Sequence, residues 1–539
     1  MYTRGFALGS PVLTGPPNHL SITRLRGAPT RLVANASPSQ DKDKSQEVAS
    51  VVGIDLGTTN SAIAMIEFNE PVIIPNQEGK LTTPSVVGFR SDGSILVGAQ
   101  AQRQAAVNPA NTFYSVKRFV GREYDDALED VERVAYGVMH DPDGTGAVTL
   151  KCDHAEDGSL YPEEISAYVI AKLVYAAEEY KNTPVTKAVI SVPAYFNDEQ
   201  REATATAGRL AGLEAVRIMR EPIAAALAYG LSAEEDQTVL VFDLGGGTYD
   251  VSLLEVGGGV IEVLSTGGDP HLGGDDWDAA IASWLISEHL KPAGVDCTNP
   301  GILANLKAIA EAAKIKLSTE DKVVIRMPVG GGIEAVLTRQ MFEGMTADLF
   351  RRARLPLDQA CWQAGVDLGT AVREFDDAVK SVKKGGKGGS GNRSGASAAA
   401  DLAASGAPEI RPKRRMPVTE VLLVGGATRM PAVRRFVRNM TGIEPRDSAV
   451  DPDLAVALGA AVQAGIYEGQ LSDLMVMDVW QASLMRAYAR QVAAEQEAAA
   501  AAAAGEEVKS GGAVGEGANE SEIDGWDDEE LGEVEDKVS

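Results

Sequence analysis

The chain has 539 residues, 44% apolar and 24% charged, a balance that suits a globular protein of a few units at roughly 150 residues each. No run of about 18 apolar residues occurs, which excludes a membrane-spanning helix. A formal net charge of -27 argues against a general nucleic-acid binder, because phosphate contacts need clustered Lys and Arg.

Residues 1–40 contain Arg4, Arg24, Arg26 and Arg31, no acid, and much Ser, Thr, Pro and Gly. That is the composition of an organelle transit peptide, with a merely disordered N-terminus as the alternative. The continuous apolar core of a secretory signal is missing, and Ala34–Ala36 is a plausible region for cleavage. Residues 1–46 are therefore expected to stand outside the fold.

From Val51 to about Asp478, short apolar strands alternate with helical stretches. Val51–Ile54, Ala188–Val192, Thr238–Phe242 and Val421–Val424 are predicted as buried strands, and Pro162–Tyr180, Asp198–Ala211 and Pro222–Tyr229 as helices. The last begins with Pro222 in its first turn and stops before Gly230, the punctuation helices favour. An α/β fold follows, with helices covering the sheets.

Lys383–Ser405 is a low-complexity Gly/Ser/Ala stretch expected to be a flexible loop, and the basic run 411–415 closes the insert. After Asp478, residues 479–504 are expected to form a linker and an Ala-rich helix. The tail 505–539 should be disordered: 506–539 holds 13 acids and 2 lysines, a net charge of -11. Trp526 within it is either a short docking motif or part of a solvated tail. Cys152, Cys297 and Cys361 form no CxxC pair, so neither a zinc knuckle nor a disulfide framework is indicated, and isolated thiols fit a reducing compartment.

One plan occurs twice. Val51 to Met65 and Val239 to Leu253 each read as an apolar strand, Asp-Leu-Gly, a small-residue turn with Thr, and a second strand, offset by 243 - 55 = 188 positions. Two such copies suggest two similar lobes facing each other. A Gly/Thr turn after a buried strand points several backbone N–H groups one way, a concavity that binds anions. Gly57 and Gly245–Gly247 allow close backbone approach, and Thr58, Thr59 and Thr248 add hydroxyl donors. Asp55 and Asp243 beside those turns would repel phosphate unless a divalent cation lay between, and Mg²⁺ takes such oxygen ligands while keeping waters. Neither a Walker A loop nor a Rossmann fingerprint occurs, since the turns lead back into strands. A third glycine turn, Val424–Met430, is a candidate for the nucleoside end.

Together, Gly53–Ser61, Val192–Arg201, Asp243–Asp250 and Val424–Met430 resemble the DnaK-type seventy-kilodalton heat-shock chaperones over the family's whole nucleotide-binding domain, about 51–478. Asn111–Gly121 and Leu264–Asp269 look like the plastid and cyanobacterial branch, which with the N-terminus favours the chloroplast stroma over the mitochondrial matrix. The resemblance implies an actin-like, two-lobed ATPase fold with ATP or ADP in the cleft and slow hydrolysis. It implies that Gly57, Thr58, Thr59, Asn60 and Gly245–Thr248 hold phosphates and that Asp55 and Asp243 hold Mg²⁺ through water. Asp250 would serve a potassium ion or the attacking water. Lys117 would reach the γ-phosphate, and Glu221 would orient the metal's water shell. Glu311, Lys314 and Ser318 would clamp the adenosine from one helical face, with Gly425, Gly426, Ala427, Arg429 and Asp453 completing the pocket. Pro193 and Arg201 match an interlobe relay.

The sequence departs from the family pattern at Arg220, Ile223 and Pro270, and the second lobe's sheet near Lys322–Leu337 looks shortened. Asp473–Val479 resembles the family's interdomain linker, but the 539 - 478 = 61 residues after it cannot hold a β-sandwich that grips peptides. The expectation is a monomeric chaperone-type ATPase that meets unfolded clients only indirectly, with a J-domain protein and an exchange factor as partners. The alternative is a nucleotide-dependent binding module with little turnover. A truncated gene product would look the same.

Overall fold

The structure, a computed structural model, describes residues 11–13, 20–24 and 50–471, apart from 156, 232–235, 259, 298–299, 328–331, 369–415 and 447–449. The low-complexity insert, the basic run 411–415, the linker-like Asp473–Val479, the Ala-rich helix and the acidic tail lie outside the described residues. Within residues 1–46, which the sequence reading places outside the fold, Pro11–Leu13 and Leu20–Arg24 are instead short paired strands, and the second also pairs with Ser94–Ile95.

Two sheets carry the architecture. In the first, the order is Ala215–Arg220, Val185–Val192, Ser50–Asp55, Asn60–Glu67, Glu70–Ile73. Ser50–Asp55 and Asn60–Glu67 form an antiparallel hairpin, and Val185–Val192 lies parallel to Ser50–Asp55. In the second, the order is Val260–Asp269, Tyr249–Gly257, Gln237–Leu244, Glu420–Val424. Its hairpin is Gln237–Leu244 with Tyr249–Gly257, and Glu420–Val424 runs parallel to the hairpin's first strand. The duplication read from the sequence is thus a duplication of topology: an antiparallel meander of three strands, then a later strand added parallel to the first. All four predicted strands and three predicted helices form, with no end shifted by more than three residues.

Both first strands are buried continuously rather than alternately, as strands covered on both faces are. The cover between the sheets is helical. Glu221–Ala228 and Ala455–Tyr467 pack on each other, in a cluster that takes Val51 and Val189 from the first sheet and Val239, Val241 and Leu422 from the second. Their approach requires Gly459, where a Cβ would collide with the Ala224 carbonyl. Ile223, one of the departures from the family pattern, is 6% exposed within this cluster and fits it as an apolar residue.

Each sheet also has its own outer core. Phe113, Phe119 and Leu150 centre that of the first lobe, and Trp277, Leu285 and Leu357 that of the second. The region near Lys322–Leu337 is a two-stranded antiparallel sheet, Lys322–Met327 with Ile333–Thr338. Alternation turns Val323, Ile325 and Met327 inward, the pattern of a sheet with one wet face. Among the described residues, no helix is long and apolar enough to cross a membrane.

Candidate functional site

The two glycine turns join the strands of their hairpins at equivalent places. Asp55 pairs in register with Ala62, and Asp243 pairs with Asp250. Ala62 and Asp250 are themselves 188 positions apart, so the two turns share a backbone plan while only the second carries the extra acid. In the second turn Gly245 N donates to the Thr248 carbonyl at 3.0 Å. In the first, Ser85 Oγ donates to the Gly57 carbonyl at 2.7 Å. The turns meet across the cleft: a Cβ on Gly246 would stand 2.8 Å from Thr59 Oγ1.

The loop at Gly273–Asp275 backs the second turn. Gly274 N and Asp275 N donate to the carbonyls of Gly245 and Gly246, at 2.9 and 2.8 Å. At Gly273 a Cβ would lie 2.5 Å from both Gly246 O and Gly247 N, so only glycine permits this contact.

A cavity of about 990 Å³ opens between the lobes, and every candidate residue lines it: Asp55, Gly57–Asn60, Lys117, Glu221, Asp243, Gly245–Thr248, Asp250, Glu311, Lys314, Ser318, Gly425–Ala427, Arg429 and Asp453. Pro193 also lines it. Arg201 does not; on its helix it pairs with Asp198 at 2.9 Å.

The cavity floor gathers like charges. Asp55, Glu221, Asp243 and Asp250 converge around Lys117, whose Nζ donates to Glu221 Oε1 at 2.6 Å. Lys117 sits in the turn Val116–Arg118, which Ser115 enters with a left-handed backbone, φ 56°. For a residue with a Cβ this conformation costs about 1 kcal/mol or more, a strain that surrounding structure must hold.

Burial and the Glu221 charge push the Asp55 carboxyl up to about 6, against Lys117 and a 3.0 Å hydrogen bond from Ser191 Oγ. Burial and Glu221 push Asp250 up to about 7, while Lys117 and Arg118 oppose. Asp243 rises well above the usual carboxylate range through burial, then Glu221, Asp250 and Asp55. Burial pulls the Lys117 ammonium down, but Glu221 and Asp55 outweigh it and the net shift is upward. Four carboxyls face one ammonium in this basin, and a divalent cation would offset the remaining negative charge. Among the described residues, no group of three or more His, Cys, Asp or Glu is arranged to hold a metal ion by itself.

At the other end, Ser318 lies one residue past the helix Pro300–Leu317 that carries Glu311 and Lys314. The third turn is tight: Gly425 has φ 81°, and Arg429 donates to Asp453 Oδ2 from Nε and Nη2 at 3.1 and 3.0 Å.

A set of contacts across the cleft has no counterpart among the residues predicted from the sequence. Arg118 belongs to the first lobe, yet its guanidinium donates to Gly247 O at 2.9 Å and Pro270 O at 2.5 Å in the second. His271 Nε2 lies 2.9 Å from Asp130 Oδ1, and its Nδ1 lies 3.1 Å from Glu129 Oε1. Pro270, a departure from the family pattern, contributes through its carbonyl alone, so the change of side chain leaves this bond available. The one local signal is the Lys-Arg pair at 117–118, whose second member carries no motif of its own.

Comparison with known proteins identifies the family. The family described as "Hsp70 protein" matches residues 51–374 and 413–506. The chain is 44% identical over 445 residues to "Chaperone protein dnaK" of Cyanidioschyzon merolae, covering 81% of this chain and 65% of that protein. It is 45% identical to "Chaperone protein dnaK3" of Thermosynechococcus vestitus, covering 82% and 59%. To "Heat shock 70 kDa protein 6, chloroplastic" of Arabidopsis thaliana it is 46% identical, covering 80% and 54%. The chain thus spans less than two thirds of the length of these relatives. A family match over most of the chain, joined to a duplicated hairpin fold of the actin-like ATPase type, establishes that the chain belongs to the Hsp70 family.

Proposed function

We propose that this chain binds ATP and ADP with Mg²⁺ and hydrolyses ATP slowly, as the nucleotide-driven part of a chaperone that assists protein folding. The observation that carries this reading is the meeting of two equivalent Gly/Thr turns over a buried basin of four acids and one lysine. Phosphoryl transfer needs mainly positioning and charge neutralisation, and this inventory supplies both. Thr58, Thr59, Gly245–Gly247 and Thr248 hold the phosphates through N–H and hydroxyl donors. Asp55 and Asp243 would hold the ion, and Glu221 would orient its surroundings. Bound Mg²⁺ supplies neutralisation of phosphate charge. Lys117 reaches the γ-phosphate and the attacking water, and Asp250 serves the water or a potassium ion. Glu311, Lys314, Ser318 and the Gly425–Arg429 turn hold the nucleoside. A J-domain protein and an exchange factor are the expected partners. A plastid stroma is the proposed location, supported by the leader's composition and the chloroplastic relatives.

The direct test is thermal melting with ADP, with and without Mg²⁺, followed by steady-state turnover. A ligand that binds only the folded chain raises its melting temperature by mass action, about 2.7 kcal/mol at a hundredfold excess over Kd. Absence of any shift would refute the reading. Binding without turnover, J-domain protein included, would instead identify a nucleotide-dependent regulatory module.

The acid basin predicts a pH signature. Unfolded, Asp55 and Asp250 ionise near 3.8; folded, they ionise near 6 and 7. Between those values the folded chain keeps protons that the unfolded chain has lost, so ligand-free stability falls as pH rises from about 4 to about 7. Mg²⁺-nucleotide favours the ionised acids, so its binding should release protons in the upper part of that window. Calorimetry in buffers of different ionisation heat reads this release, which should shrink in Asp250→Asn. Equal release in that variant would sink the assignment.

A further inference from the structure

We propose that Asp278 is a positioning residue that sets the Lys314 ammonium for the nucleoside, an inference that rests on the nucleotide reading above. Asp278 lies on the helix Gly274–Leu285, is 2% exposed, and borders the cavity. Its Oδ2 accepts from Lys314 Nζ at 2.8 Å, and the Gly274 carbonyl accepts from the same ammonium at 2.9 Å. An ammonium has three N–H donors. With two committed to the protein, the third is held in one direction, and Lys314 itself lines the cavity. Without that anchor a lysine side chain recovers most of its rotamer freedom, which binding must then remove.

A second observation separates this from a packing role. Asp278 Oδ1 is buried and finds no hydrogen-bond donor among the described residues. Burial, opposed by Lys314, holds the carboxyl up at about 6. A buried carboxylate with one oxygen unmet costs folding stability, and an apolar residue of similar volume would serve packing better. What the acid supplies in return is the fixed lysine.

The test is a double-mutant cycle read by calorimetry with Mg²⁺-ADP and with Mg²⁺-tripolyphosphate, which lacks a nucleoside. Asp278→Ala and Lys314→Ala should each weaken ADP about tenfold. The double variant should bind ADP no more weakly than Lys314→Ala, because Asp278 acts only through the lysine. Tripolyphosphate affinity should be the same in all forms, which also shows that they are folded. Asp278→Asn, which keeps an acceptor without the charge, should recover part of the loss and covers the case in which the alanine variant does not fold. Unchanged ADP affinity in both Asp278 variants, or losses that add in the double variant, would overturn the proposal. A wild-type protein that takes up neither ligand would overturn the nucleotide reading and this inference with it.

Discussion

Replacing Lys117 by Ala will reduce ATP turnover by at least about 10²-fold, the scale of losing one preorganised group that stabilises transition-state charge. The same change will destabilise the ligand-free protein. Lys117 lies 2.6 Å from Glu221, and the side chains are only 9% and 13% exposed, so its removal leaves a buried charge uncompensated. Breaking such a pair costs about 3 kcal/mol or more. Asp55 and Asp250 also lose an opposing positive charge, and their carboxyls move further up. Stability and turnover can be separated with the double variant Lys117→Ala/Glu221→Gln. Neutralising Glu221 should restore the melting temperature of the ligand-free form, while turnover stays lost. Restored turnover in that double variant, or wild-type turnover in Lys117→Ala, would remove the lysine from the mechanism.

Gly273→Ala is expected to weaken Mg²⁺-nucleotide binding by tenfold to a hundredfold while most of the fold survives. Its backbone is extended, at φ -164° and ψ -177°, so alanine meets no conformational penalty there. The penalty is contact: the new methyl would stand 2.5 Å from Gly246 O and Gly247 N. Those are backbone atoms of the second phosphate turn, which cannot swing aside as a side chain can. Relief requires moving the turn, which also lies close to Thr59 across the cleft and accepts hydrogen bonds from Gly274 and Asp275. Overpacking of this kind costs about 1–3 kcal/mol, and a tenfold change in affinity corresponds to about 1.4 kcal/mol. Calorimetric titration of Mg²⁺-ADP into the folded variant checks this. Wild-type affinity would show that the turn can yield without consequence.

The two turns are legible in the chain itself because everything that makes them is local. A buried strand, an Asp at its end, two or three small residues and a returning strand lie within fifteen positions, and the copy 188 residues later repeats the order. Helical spacing likewise places Glu311 and Lys314 on one face, although Ser318 falls just past the helix end.

What the sequence does not reveal depends on distance along the chain. Lys117 meets Glu221 across 104 positions, Arg118 meets Gly247 across 129, and His271 meets Asp130 across 141. No periodicity links such residues. They are joined because Glu221–Ala228 and Ala455–Tyr467 pack closely between the sheets and bring two lobes to one cleft. Arg201 illustrates the limit from the other side: a motif match assigns it to a relay, while its side chain pairs locally with Asp198 and does not line the cavity. Local chain chemistry determined the strands, the turns and the family of this protein. The tertiary structure decided which of those charges touch and how they shift, because burial in one basin, rather than residue type, raises the acids and selects their neighbours.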